Sequence, residues 1–136
     1  MQLSKEVQTT YDAKLSSNLP RQSMRGDDTI LLDMLLASRE ARDFAANLNF
    51  EEFQHDRTAQ LAILKSIEVV GEAASHVSTV CKETYPEIPW FQIIGMRNRL
   101  VHEYFDIDLE RVWETVQQDV PRLISQLESL PIPDKE

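Results

Sequence analysis

From Asp27 to Leu130 the apolar residues recur every three or four positions and nowhere alternate over a strand's length. That period commits the chain to amphipathic helices that must bury their stripes against one another. Ile30, Met34, Ala37, Ala41 and Phe44 mark a first helix reaching about Leu48, with Asp27 or Asp28 as its cap. Residues 49–55 read as a short connection, and Asp56 as the N-cap of a second helix extending to about Thr84. Its stripe is Leu61, Leu64, Ile67, Ala74, Val77 and Cys81. Gly71 lies inside it at a cost of about 1 kcal/mol relative to alanine, which close approach of a neighbouring helix would explain.

The run Tyr85-Pro86-Glu87-Ile88-Pro89 breaks the chain, because proline removes a helical donor and restricts the residue before it. Pro89 then suits the first turn of a third helix, expected over Trp90 to about Phe105. Asp106 or Asp108 caps a fourth, whose stripe is Leu109, Val112, Trp113, Val116, Val120, Leu123 and Leu127. Pro121 should kink or split that helix, and Pro131 with Pro133 ends the fold. The expected fold is all-α, an antiparallel bundle of four to five helices.

A chain of 136 residues suits one domain with a core of its own. Residues 1–26 read as a flexible N-terminal extension without sustained period, 27–130 as the helical domain and 131–136 as a C-terminal tail. Met24 immediately precedes the periodic region and would suit an alternative start. Cys81 is the single cysteine, so no intrachain disulfide can form, which fits a reducing cytoplasm. No apolar run approaches the roughly 18 residues of a membrane span, and no signal-peptide core opens the chain. A cytoplasmic protein is expected.

The net charge is -9, the wrong sign for a broad surface that coats nucleic acid. The first 26 residues carry +2, leaving -11 on the remainder. Such a body would have to handle RNA through a small basic cluster, or else dock a basic protein. Most of these charges are accounted for by solvated helix faces.

The one dense polar cluster is Arg97-Asn98-Arg99-Leu100-Val101-His102-Glu103-Tyr104. On a continuous helix Asn98 and His102 would share a stripe, with Arg97 and Tyr104 on the adjacent one. Each residue type serves metal-free RNA cleavage. A neutral imidazole can take the proton of a 2′-hydroxyl, a guanidinium matches a phosphate and its developing charge, and Asn98 could orient either group. The same pair also occurs by coincidence on ordinary surface helices, so spacing alone leaves both readings open.

This string resembles the R-N-x-L-V-H-x-Y signature of the HepT-like family of small helical HEPN proteins. Gly71-Glu72-Ala73, Tyr85 to Trp90, Ile94-Gly95-Met96, Asp108 and Val112-Trp113 extend the likeness over roughly Asp27 to Leu130. The resemblance implies a homodimer whose motif segments share one cleft, so that Arg97 and Arg99 of two copies concentrate positive charge. It implies an endoribonuclease toxin acting on RNA without metal or cofactor, with Arg97 and His102 catalytic and Asn98, Arg99 and Glu72 in support. It further implies a partner, a nucleotidyltransferase antitoxin of the MntA type that transfers AMP to Tyr104. The alternative is a non-catalytic helical partner subunit of a nucleotidyltransferase, binding nucleotide or protein. A decayed member kept as a structural dimer is a third reading.

Other residues read more plainly. His55 and His76 do not form a helical metal-ligand pair, Met34 and Met96 suit the core, and Trp90 and Trp113 suit packing better than base stacking. Glu72 could pair with Arg97 across the bundle or face water.

Overall fold

The computed structural model describes residues 26–136. The stretch read as an N-terminal extension lies outside them, apart from Gly26. The helices are α1 (Asp27–Ala45), α2 (Phe50–Gln54), α3 (Arg57–Ser75), α4 (Thr79–Thr84), α5 (Trp90–Ile94), α6 (Met96–Leu100), α7 (Leu109–Glu114) and α8 (Val120–Glu128). A 3-10 turn (Glu103–Phe105) follows α6, and a π-helical turn (Thr115–Asp119) joins α7 to α8. Among the described residues there is no sheet, only an isolated bridge between Val101 and Ile107. The all-α class stands.

The core forms where the stripes meet. Met34, Leu35 and Ala41 of α1, Ile63, Leu64 and Ile67 of α3, and Val112, Leu123 and Leu127 of the last helices are all buried. Alpha1 packs along α3 and against α8. Phe44 and Leu61, placed on the apolar stripes by period, are instead 47% and 39% exposed at the stripe ends. No described helix is long and apolar enough to cross a membrane.

Several boundaries differ from the periodic reading, each for a local reason. Asp27 does not cap α1. Its buried carboxylate accepts from the Ser78 N–H at 2.9 Å and the Ser78 hydroxyl at 2.6 Å. Ser78 in turn caps α4, its Oγ accepting from Cys81 N–H. This knot ends the second long helix at Ser75 rather than Thr84, while Val77 and Cys81 still face the core and keep the period unbroken.

Residues 49–55 contain a helix of their own, α2, closed by a reciprocal Asn49–Glu52 capping box. Asp56 caps α3 as expected, accepting from Ala59 N–H at 2.9 Å. Pro121 sits in the first turn of α8, and the π turn before it absorbs the missing donor, so that the chain continues in helical form. Beyond α8 the chain folds back. Ile132 is buried, and Lys135 donates to the carbonyls of Glu128 and Leu130.

Candidate active site

Gly71 sets the position of the motif. A Cβ built there would stand 3.1 Å from the Ile93 carbonyl oxygen and 3.5 Å from that of Ile94. Alpha3 and the end of α5 therefore touch backbone to backbone, as the interior glycine predicts. Alpha6 starts immediately after this contact and carries Arg97 over α3. There Arg97 Nε donates to Glu68 Oε2 at 3.0 Å. Glu72, for which pairing with Arg97 and facing water were both open, lies on an exposed surface and pairs with His76 Nε2 at 3.1 Å. Glu68 was missed because Glu68 and Glu72 lie one turn apart on the same face, and period cannot choose between them.

Arg97 and Asn98 line a groove of about 610 Å³ with Glu68, Glu72, Val69 and Ile94. Arg99 points elsewhere. Its guanidinium donates to the Gln92 carbonyl at 2.7 Å and lines a second, smaller groove against α8. The motif arginines thus sit on two faces.

The expected helix from Trp90 to Phe105 is the largest correction. Gly95 interrupts it, and it ends at Leu100. Val101 turns extended and bridges to Ile107. His102 N–H donates to the Asp106 carbonyl at 2.7 Å, and Asp108 N–H to that of Leu100 at 2.8 Å. Residues 101–107 are therefore a tight loop, and the shared helical stripes of Asn98 with His102 and of Arg97 with Tyr104 do not exist. Tyr104 stands at the loop tip with φ 58°, in the left-handed region, its side chain 99% exposed. Non-glycine residues adopt that region rarely, and such strain collects at functional sites.

His102 is exposed, with Nε2 3.8 Å from Asp108 Oδ2. Asp108 has two further duties. It caps α7 by accepting from Arg111 N–H at 3.2 Å, and its Oδ2 lies 3.6 Å from Arg111 Nε. One carboxylate thus fixes the start of the last helix and faces the motif imidazole. Among the described residues no hydrogen bond or ion pair joins Arg97 to His102 within one chain. Trp90 is an anchor, buried with Nε1 donating to the Tyr85 carbonyl at 3.0 Å. Trp113 is half-buried, its ring 5.2 Å from Phe53 and 6.1 Å from Phe50.

Comparison with known proteins settles the family. The family model described as Ribonuclease HepT-like matches residues 34–130. The chain belongs to the ribonuclease HepT-like family. It is 34% identical over 106 residues to a “Probable ribonuclease HepT” of Thermococcus cleftensis, covering 78% of this chain and 96% of that protein. It is 30% identical over 106 residues to a Methanocaldococcus jannaschii protein whose name is a provisional RNase assignment, covering 78% and 97% respectively. A Caldanaerobacter subterraneus protein with a similar name is 34% identical over 83 residues, 61% of this chain and 74% of that protein. No solved structure gives a significant match.

Proposed function

We propose that this HepT-like protein is a metal-independent endoribonuclease, the toxin of a toxin–antitoxin pair, working as a homodimer in the cytoplasm. The observation that carries the reading is the disposition of the motif. Arg97 is held in an open groove, and His102 projects from a hydrogen-bonded loop with a carboxylate behind it. Neutral His102 takes the proton of a ribose 2′-hydroxyl. The 2′ oxygen attacks phosphorus as the bond to the 5′ oxygen breaks, and the 5′ oxygen leaves with a proton from solvent. The products are a 2′,3′-cyclic phosphate and a 5′-hydroxyl. Arg97 stabilises the charge gathering on the phosphoryl oxygens, with Asn98 beside it. Arg99 and Glu72 have supporting, structural parts, since their partners lie elsewhere.

A second copy supplies what one chain separates. The wall of the Arg97 groove carries the exposed apolar side chains Val69 and Ile94, with Phe91 one turn earlier and 85% exposed. Covering that wall with its symmetry mate would bring two motif segments to one cleft.

Tyr104 is the proposed switch. Its hydroxyl is fully accessible, and AMP transferred to it by a partner nucleotidyltransferase antitoxin would add a phosphate that competes for the arginines and repels RNA. The alternative, a non-catalytic partner subunit, predicts nucleotide or protein binding without cleavage.

The deciding experiment is cleavage of a structured RNA by purified protein in EDTA. His102→Ala should slow it about 10²-fold or more. Loss of activity on chelation, or an unchanged rate in the variant, would overturn the mechanism. Tyr104→Phe should keep most activity yet escape silencing by the nucleotidyltransferase with ATP, with no AMP-sized mass added. Equal modification of that variant would leave docking over the cleft as the means of inhibition.

A further inference from the structure

Asp108 faces two ways. On one side lies His102, and on the other opens a groove of about 630 Å³ between α2 and the last helices. Its apolar lining is Phe50 and Trp113, half-buried rings with centroids 6.1 Å apart and planes tilted by 48°, so part of each is available to the groove. Gln117 and Gln118 line it from the π turn. That turn has an independent meaning, because single π turns inside α-helices occur frequently at functional sites. Here it inserts a residue into the helical path and leaves two neighbouring amides exposed beside the aromatic pair.

We propose that this groove is a nucleobase subsite for the base flanking the scissile phosphate, selecting a base with an exocyclic amine over uracil. The proposal rests on the RNA-cleaving reading for its connection to catalysis. An unstacked RNA base needs an aromatic face and hydrogen-bonding groups around its edge, and the two rings with the two amides supply both. The groove's charge refines the choice. Among the described residues that line it, Asp108, Glu110 and Glu114 stand against one cation, Arg111, so phosphate is repelled and the backbone must pass outside, on the arginine side. Carboxylates accept from an amine, as glutamines do while donating to an adjacent ring nitrogen. Uracil offers a carbonyl where the amine would be, and would set two acceptors against each other. The shared Asp108 connects recognition to chemistry, since a base seated beside it delivers the adjoining ribose to the His102 side.

The test uses the full chain carrying His102→Ala, so that RNA survives titration. Short oligoadenylate should quench the fluorescence of this protein, with oligouridylate about tenfold or more weaker. The quenching should vanish in Trp113→Phe, which keeps an aromatic ring in the same packing, and persist in Trp90→Phe. The pair Gln117→Ala and Gln118→Ala, both exposed and away from the core, should flatten the preference between the two homopolymers. With His102 restored, the same pair should broaden the mapped cut sites. RNA cleaved without Trp113 quenching, or with cut sites unchanged by the glutamine pair, overturns the subsite and leaves the nuclease standing. Selective quenching without cleavage by the His102 protein does the reverse. Quenching by oligolysine and not by RNA would assign the groove to a basic protein segment and overturn the proposal.

Discussion

Arg97 reaches its groove already engaged by Glu68 at 3.0 Å, and both side chains are about a third exposed. An ion pair so placed contributes little to stability, at most about 1 kcal/mol, but its carboxylate stands where an RNA phosphate would compete for the guanidinium. Glu68→Gln should therefore leave the denaturation midpoint nearly unchanged and tighten RNA binding, measured by titration in the His102→Ala background. Glu72→Gln, whose partner is His76, should leave both the midpoint and RNA binding unchanged. The sequence singled out Arg97 and left its acid ambiguous, because helical spacing gives a face and not a height. Cys81 offers a second check at this scale. Burial pushes its thiol up from 9.0 to about 11, with Asp27 and Asp28 adding to the effect. A folded pKa above the unfolded one gives stabilisation that is complete below pH 9 and lost as pH rises towards 11. Thermal unfolding of wild type should fall more steeply across that range than that of Cys81→Ala, and a thiol reagent at neutral pH should label only unfolded chain.

Among the elements, the caps of α3 and α7 and the glycine inside α3 were legible because their causes are local. Asp56 and Asp108 each hold the N–H three residues on, and Gly71 sits against a backbone that excludes a side chain. Two breaks escaped the sequence because each depends on a partner outside the helical pattern. The break before α4 needs Asp27, 51 residues away from Ser78. The end of α6 needs Ile107 to bridge Val101, although Leu100 and Val101 continue a helical pattern. The close approach of α3 and α5 has a measurable consequence. Gly71→Ala gains about 1 kcal/mol of helix propensity, but its methyl group would press on the Ile93 carbonyl at 3.1 Å, and backbone yields poorly. Overpacking of that kind costs about 1–3 kcal/mol, so the expected balance is a net loss of up to about 2 kcal/mol in chemical denaturation, together with a drop in RNA cleavage as α6 and Arg97 are pushed outward. A stabilised Gly71→Ala protein would mean that the contact gives way. Asp108 separates two functions in the same spirit. Asp108→Ala should cost about 1 kcal/mol through the lost cap, whereas Asp108→Asn should keep the cap and lose only the charge facing His102, lowering activity with little change in stability.

At the scale of the whole molecule, the difficulty is that an acidic chain must gather positive charge where RNA binds. One copy places Arg97 and Arg99 on different grooves, and among the described residues no hydrogen bond or ion pair joins His102 to either. Focusing raises local potential only where like charges converge in a confined cleft, so a single chain is poorly equipped for it. Ile94 and Val69 line the Arg97 groove, and Phe91, one turn before Ile94, is also exposed; water contact with such side chains is unfavourable, and a self-complementary partner would remove it. Sedimentation at micromolar concentration should therefore find a dimer. Phe91→Glu places a charge on the most exposed of these side chains, outside the core, so the helical signal and unfolding midpoint should be preserved while the dimer dissociates. Cleavage should fall with dimerisation, and raising the concentration of Phe91→Glu should restore both together. A monomeric variant that cuts RNA at the wild-type rate would place the complete site within one chain, and the separation of Arg97 from His102 would then have to close by movement of the 101–107 loop rather than by assembly.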